Sequence, residues 1–242
     1  MAGHSKWANI KHRKAATDKK RGKVFTRIAK EIIIAAKIGG GDPNANPRLR
    51  MAIQAGRSVN MSSDTIKKGI QRGTGEIEGA SYEEITFEGY GSSGVMFIIE
   101  TATDNRKRTI AEIRAAFAKY GGNLGETNAV SWNFDYFGVI SIQTNGVTEE
   151  QLLEITIEIG AEDCLVEEET SIVLCAPDQL ATCEQAIISL GYVVDSTKFQ
   201  YFPKNTVKIL SEEERKPVEK LIDVFEEHDD VQELYTNYEF TD

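Results

Sequence analysis

From Val24 the apolar positions of this chain recur at intervals of three and four. Val24, Ile28, Ile32 and Ala35 fall on one line, with Phe25, Ala29, Ile33 and Ala36 beside it. That period predicts an amphipathic helix, which Gly39-Gly40-Gly41 should end. A second helix is predicted to open at Asn46-Pro47, with Asn as cap and Pro at the first helical position. It carries Leu49, Ala52, Ile53 and Val59 inward to about Asn60. A third, short helix follows Ser62-Ser63, turns Ile66 and Ile70 inward and stops at Gly73. Residues 1–78 therefore read as an arm and one small three-helix domain.

After Gly79 the period changes. Ile85-Thr86-Phe87 and Val95 to Thr101 read as hairpin strands. Thr103 to Tyr120 reads as a helix with Ile110, Ile113 and Phe117 on one face, and Val130 to Tyr136 as a further strand. A self-contained run follows: strand Val139–Gln143, helix Glu149–Ile159, strands Asp163–Glu167 and Ser171–Cys175, helix Gln179–Leu190 and strand Val193–Tyr201. The order βαββαβ is that of a ferredoxin-like unit. The remaining helix, Glu212–Glu227, and strand, Val231–Tyr238, are too little to stand alone and should complete the sheet begun before residue 137. The expected fold is α+β and multidomain. It comprises the N-terminal helical domain, a discontinuous α+β domain at 79–137 and 204–242, and a ferredoxin-like domain at 138–203 inserted into it.

Composition adds little to this picture. A 40% hydrophobic and 27% charged content is ordinary for a soluble chain of 242 residues, long enough for two or three domains. No apolar run approaches the roughly 20 residues of a membrane span, and no apolar stretch follows the basic start as a secretory signal would require. A cytoplasmic location without membrane partners is expected. Cys164, Cys175 and Cys183 lack C-x-x-C spacing and read as buried thiols of a reduced compartment.

Charge changes the picture more. The chain carries a net −10, yet residues 1–78 hold 17 Lys/Arg against 6 Asp/Glu, and the rest holds 11 against 32. The two parts are thus +11 and −21. Between Lys119 and Lys198 there are 14 acids and no Lys or Arg. The first thirty residues place Lys6, Lys11, Arg13, Lys14, Lys19, Lys20, Arg21, Lys23, Arg27 and Lys30 against Asp18 alone, with His12 among them and Trp7 available to stack on a base. Such asymmetry points to a polyanion partner, and cations that meet phosphates gain affinity by releasing counterions. Arg48 and Arg50 continue the sign onto the helices, as do Arg57, Lys67, Lys68 and Arg72, though any one of these also fits a solvated helix face. Asn105, Arg106, Lys107 and Arg108 fall in the first turn of a predicted helix, where cations oppose the macrodipole. Together with free backbone N–H groups they would make an anion pocket. Alternatively Asp104 caps this helix, and Glu100 or Glu112 neutralises the cluster.

No catalytic constellation is legible in the sequence. Gly89-Tyr90-Gly91-Ser92-Ser93-Gly94 matches G-x-G-x-x-G, but strand-like residues follow it where a dinucleotide site needs a helix. Gly39-Gly40-Gly41 lacks the Gly-Lys-Ser/Thr of a phosphate loop. His4, His12 and His228 lack metal-ligand spacing, and no Ser or Cys has a recognisable base partner. An enzyme, a cofactor, a metal and a small-molecule substrate are not expected.

The opening M-A-G-H-S-K-W-A-N-I-K-H-R-K-A-A-T-D-K-K-R-G-K-V-F-T resembles the start of the YebC family (YebC/PmpR), which includes mitochondrial translational activators. The resemblance continues through G-G-G-D-P-N-A-N-P-R-L-R at Gly39–Arg50, A-I-Q-A-G-R-S-V-N-M at Ala52–Met61, E-G-Y-G at Glu88–Gly91, T-D-N-R-K-R-T-I-A-E-I-R at Thr103–Arg114, G-G-N-L-G at Gly121–Gly125 and D-D-V-Q-E-L-Y at Asp229–Tyr235. It is weakest in the acidic insert. The resemblance implies a helical domain followed by two α+β domains, one inserted in the other. It also implies a cytoplasmic DNA-binding regulator of transcription, with a ribosome-associated translation factor as the alternative. A protein-interaction scaffold built on the acidic insert is a third reading. No helix-turn-helix with a clear recognition helix is legible, which suits backbone contacts or structured RNA.

Overall fold

A computed structural model describes residues 21–239. Three helices come first: α1 (Arg21–Gly39), α2 (Pro47–Ser58) and α3 (Ser63–Gly73). Asn46 fixes the first corner. Its Oδ1 accepts from the Leu49 N–H at 3.0 Å and so caps α2. Its Nδ2 donates to the carbonyls of Ala35 and Gly40, each at 2.8 Å, tying down the end of α1. Ile32, Ala35, Ala36, Leu49, Ala52, Ile53, Met61 and Ile66 form the buried seam between the helices. At Gly73, α3 meets α1 backbone to side: an added Cβ would lie 2.4 Å from the Ile33 carbonyl oxygen. No residue but glycine fits that crossing without moving a helix.

Downstream follow β1 (Glu83–Tyr90), β2 (Met96–Thr103), α4 (Arg106–Lys119), β3 (Asn123–Leu124), β4 (Phe134–Gln143), α5 (Glu149–Glu158), β5 (Asp163–Leu165), β6 (Thr170–Cys175), α6 (Leu180–Ser189), β7 (Val194–Pro203), α7 (Glu212–Glu227) and β8 (Val231–Thr236). The first sheet has the order β3-β1-β2-β8, antiparallel throughout, with Phe87 opposite Ile99 and Ile99 opposite Leu234. Its buried face meets α4 and α7 in one core. The rings of Phe97, Phe117 and Phe225 pack edge to face there, with centroids 5.0–6.0 Å apart. The second sheet has the order β5-β6-β4-β7, and β6 is antiparallel to both its neighbours.

The described residues divide into two compact units. One holds the chain up to Phe134 and from Pro203 onward, and the other is Asp135–Phe202. The three helices and the first sheet belong to the same unit. Several element boundaries differ from expectation, and β3 was not foreseen. The strands foreseen at Val130–Tyr136 and Val139–Gln143 are one continuous strand, β4, because Gly138 stays in the ladder opposite Cys175. Residues 131–133 instead make a short 3-10 turn. The helix foreseen from Thr103 begins at Arg106, since Thr103 completes β2 and Asn105 supplies the cap.

Candidate nucleic-acid interface

Of the residues expected to meet a polyanion, Lys6, Trp7, Lys11, His12, Arg13, Lys14, Lys19 and Lys20 lie outside the described residues. Arg21 opens α1. The next cations on α1 face inward. Lys23, Arg27 and Lys30 are spaced by four and three, so they share one face of the helix, and that face meets the C-terminal end of α7. Lys23 donates to the Glu227 carbonyl and Arg27 to the Glu226 carbonyl at 3.0 Å. α7 has no basic residue in its own last turn. Its final carbonyls, which have no partner within the helix, thus receive cations from α1.

Lys30 goes deeper. It is 7% exposed, and its ammonium donates to the Ala102 carbonyl at 3.0 Å, the Asp229 carbonyl at 2.9 Å and Asp230 Oδ1 at 2.9 Å. Asp230, 4% exposed, is the hub of this region. Its Oδ2 accepts from Arg108 at 2.7 Å, Thr109 at 2.8 Å and Thr103 at 3.2 Å. Burial alone would raise its pKa, but the bonds from Arg108, Lys30 and Thr109 outweigh burial and hold the carboxyl well below the usual carboxylate range. One side chain therefore joins α1, the end of β2, the start of α4 and the start of β8.

This arrangement decides what the Asn105–Arg108 turn presents. Asn105, rather than Asp104, caps α4, accepting from the Arg108 N–H at 3.1 Å. The Arg108 guanidinium is held by Asp230 and by Asp104 at 3.1 Å, with Glu112 4.0 Å away. Its pKa is raised chiefly by the Asp230 hydrogen bond. Arg106 stands 4.0 Å from Glu83. Lys107 is exposed and paired with no carboxylate among the described residues. Of the three cations, Lys107 alone points at solvent unneutralised.

Arg48 is likewise engaged. It reaches Glu31 with Nε at 2.6 Å and Nη2 at 2.9 Å, and Glu84 with Nη1 at 2.9 Å. The Glu84 bond is the largest cause of its raised pKa. This two-carboxylate clamp ties α1 and α2 to the first strand. Arg50 is exposed and donates to the Pro43 carbonyl at 3.2 Å. Arg57, Lys67 and Arg72 are exposed and pair with no carboxylate among the described residues, whereas Lys68 pairs with Asp64 at 2.8 Å.

Three groups escaped the sequence reading. Asp230 looks like one acid among many in D-D-V-Q-E-L-Y, and only the fold buries it. Glu88, 7% exposed, accepts from the backbone N–H groups of Asn128, Val130 and Ser131 at 2.7–2.9 Å and so pins the loop before β4. That loop carries Trp132, 60% exposed. Glu112, His228 and Asp230 bring three potential metal-ligand atoms within 4.8 Å. However, the Asp230 oxygens are already filled by Lys30, Arg108, Thr103 and Thr109. His228 Nδ1 accepts from the Asp230 N–H at 3.1 Å and Nε2 faces Glu112 at 2.9 Å. Two cations on the same carboxylate oppose a third, so the cluster is built as an ion-pair network.

Known proteins resemble the chain over its length. A family model described as the TACO1/YebC protein N-terminal domain matches residues 5–76, and one described as the TACO1/YebC second and third domain matches residues 82–238. The chain belongs to the TACO1/YebC family. The seam between the two matches, residues 77–81, is the segment that leaves the helices and enters β1. Among TACO1/YebC relatives, a probable transcriptional regulatory protein of Dictyoglomus turgidum is 48% identical over all of this chain and 97% of its own. One from Carboxydothermus hydrogenoformans is 46% identical over the full length of both. The crystal structure of a conserved hypothetical protein of Aquifex aeolicus is similar at 40% identity, with a TM-score of 0.83 over 93% of each chain.

Proposed function

We propose that this TACO1/YebC member is a nucleic-acid-binding regulator of gene expression, acting on DNA as a transcriptional regulator in the cytoplasm, without a cofactor and without catalysis. The observation that carries the reading is the segregation of charge: +11 over residues 1–78 of a chain that is −10 overall. The relatives named probable transcriptional regulatory proteins support it. In this reading the arm from Lys6 to Arg21, with Trp7, supplies the contacts. Arg50, Arg57, Lys67 and Lys107 extend them, while Lys23, Arg27, Arg48 and Arg108 hold the platform in place. We further read residues 1–78 as a domain, and the βαββαβ segment as a ferredoxin-like domain inserted into a discontinuous α+β domain. Its acidic surface keeps it off the polyanion.

A second reading, a ribosome-associated translation factor binding RNA, is favoured by one observation. The exposed cations of the described residues can address phosphates, which DNA and RNA share. The deciding experiment compares the full chain with one lacking residues 1–20, a truncation that spares the Lys23 contact. Six to ten phosphate contacts would make the parent lose about 10³–10⁵ in affinity between 50 and 200 mM salt. The truncated chain should bind weakly with a shallow salt slope. Equal binding by both chains refutes the reading. Co-sedimentation of the full chain with ribosomes or with nucleoid DNA then separates the two partners.

A further inference from the structure

α1, α3 and the segment from Gly75 to Ser81 line a cleft of about 590 Å³. Its apolar lining is Ile33 of α1 and Ile77 of the connecting segment. Its rim is cationic, with Lys37 from the last turn of α1 and Arg72 from the last turn of α3. Lys37 donates to Ser81 Oγ at 2.8 Å and to the Tyr82 carbonyl at 3.1 Å, which fixes the ammonium at the mouth with no carboxylate on it. Arg72 is exposed and pairs with no acid among the described residues. Its aliphatic stem runs along Gly79, where an added Cβ would fall 3.1 Å from Cδ and 3.2 Å from Nε. The stem of Arg72 therefore runs beside a residue that has no side chain. Glu78 is the one carboxylate of the lining.

We propose that this cleft takes a single unpaired nucleotide, an inference that rests on the nucleic-acid reading above and specifies one contact within it. The volume lies in the range of small-ligand sites. An apolar lining and a planar guanidinium suit the faces of a base. Two unneutralised cations at the rim suit its phosphate. The Glu78 carboxylate can accept from an exocyclic amino group. A base inside a duplex cannot enter such a cleft, which therefore selects single strands, loops or bulges. The arm supplies affinity for any polyanion, and the cleft supplies preference for an unpaired one.

The test uses the full chain and three probes at matched salt: a 12-residue oligocytidylate RNA, the same sequence as DNA, and a 12-base-pair duplex. Arg72→Gln removes the cation, and Gly79→Leu puts a side chain on the lining while keeping every charge. Both positions are exposed, and thermal melting verifies that each variant is folded. The expected result is about a tenfold loss of single-strand affinity in both variants, with duplex affinity changed less than twofold. A loss confined to RNA identifies a ribonucleotide, and a loss with both strands identifies the chemistry the two share. Unchanged single-strand affinity in both variants overturns the cleft while leaving the arm reading intact. A parent that binds none of the three probes overturns both.

Discussion

At the scale of single residues the decisive group is Asp230. Its carboxylate is buried against one buried and one half-exposed cation, so its removal leaves Lys30 in the interior without a carboxylate partner. Asp230→Asn should cost about 3–5 kcal/mol in chemical denaturation. Because the folded-state pKa of Asp230 lies below its unfolded value, the group contributes stability above the unfolded pKa of about 3.9. That contribution is lost as pH falls further toward the folded value. The melting temperature of the parent should therefore drop on acidification below about pH 4, and the Asn variant should show a flatter acid limb. A variant as acid-sensitive as the parent would remove Asp230 from that role. The cysteines act at the same scale with less consequence. Burial pushes the Cys175 thiol up to about 12, so alkylation by iodoacetamide at pH 8 should leave it unmodified in the folded chain.

Between elements, two contacts set how α1 sits. One is the donation by Lys23 and Arg27 to the last carbonyls of α7. Replacing both with Ala should lower stability by about 0.3–1 kcal/mol each and change nucleic-acid affinity little, because these side chains are already engaged. Arg57→Ala with Lys67→Ala should do the reverse, weakening binding at constant melting temperature. Filter binding and calorimetry on the two double variants separate these roles. The other contact is the α1–α3 crossing at Gly73. Gly73→Ala must push the helices apart against the Ile33 carbonyl, at about 1–3 kcal/mol as for overpacked cores. An unchanged melting temperature would mean the crossing has slack.

Across the whole molecule, the chain leaves and re-enters the first unit through neighbouring strands. β4 and β7 are adjacent in the second sheet. At their root Asn133, 1% exposed, accepts from Lys204 N–H at 2.7 Å through its carbonyl and donates from Nδ2 to the Asn205 carbonyl at 3.0 Å. The two chain ends flanking residues 135–202 are therefore held together by the first unit itself. Excising 135–202 and joining Phe134 to Pro203 through a short Gly/Ser linker should leave a folded protein that still binds nucleic acid, and the excised segment should fold alone without affinity for it. Loss of cooperative unfolding in the shortened chain would show that the first unit depends on the second.

The sequence by itself determined most of the elements, because their signals are local, though not β3 or the ends of β4. A period of three and four and the Asn46-Pro47 cap act within one helical turn, and alternation acts within one strand. It also determined the sign of each region, since charge needs no fold to be counted. It did not determine which cations are free. Lys23, Arg27, Arg48 and Arg108 look the same in sequence as Arg57, Lys67 and Lys107. The first four meet carboxylates or helix-end carbonyls that are distant in the chain, and the last three do not. Nor could it locate the end of the strand before residue 137, where pairing with β6 carried β4 straight through. Long-range pairing and burial decide such matters, because the energy of a charge depends on what surrounds it, and only the tertiary structure supplies the surroundings.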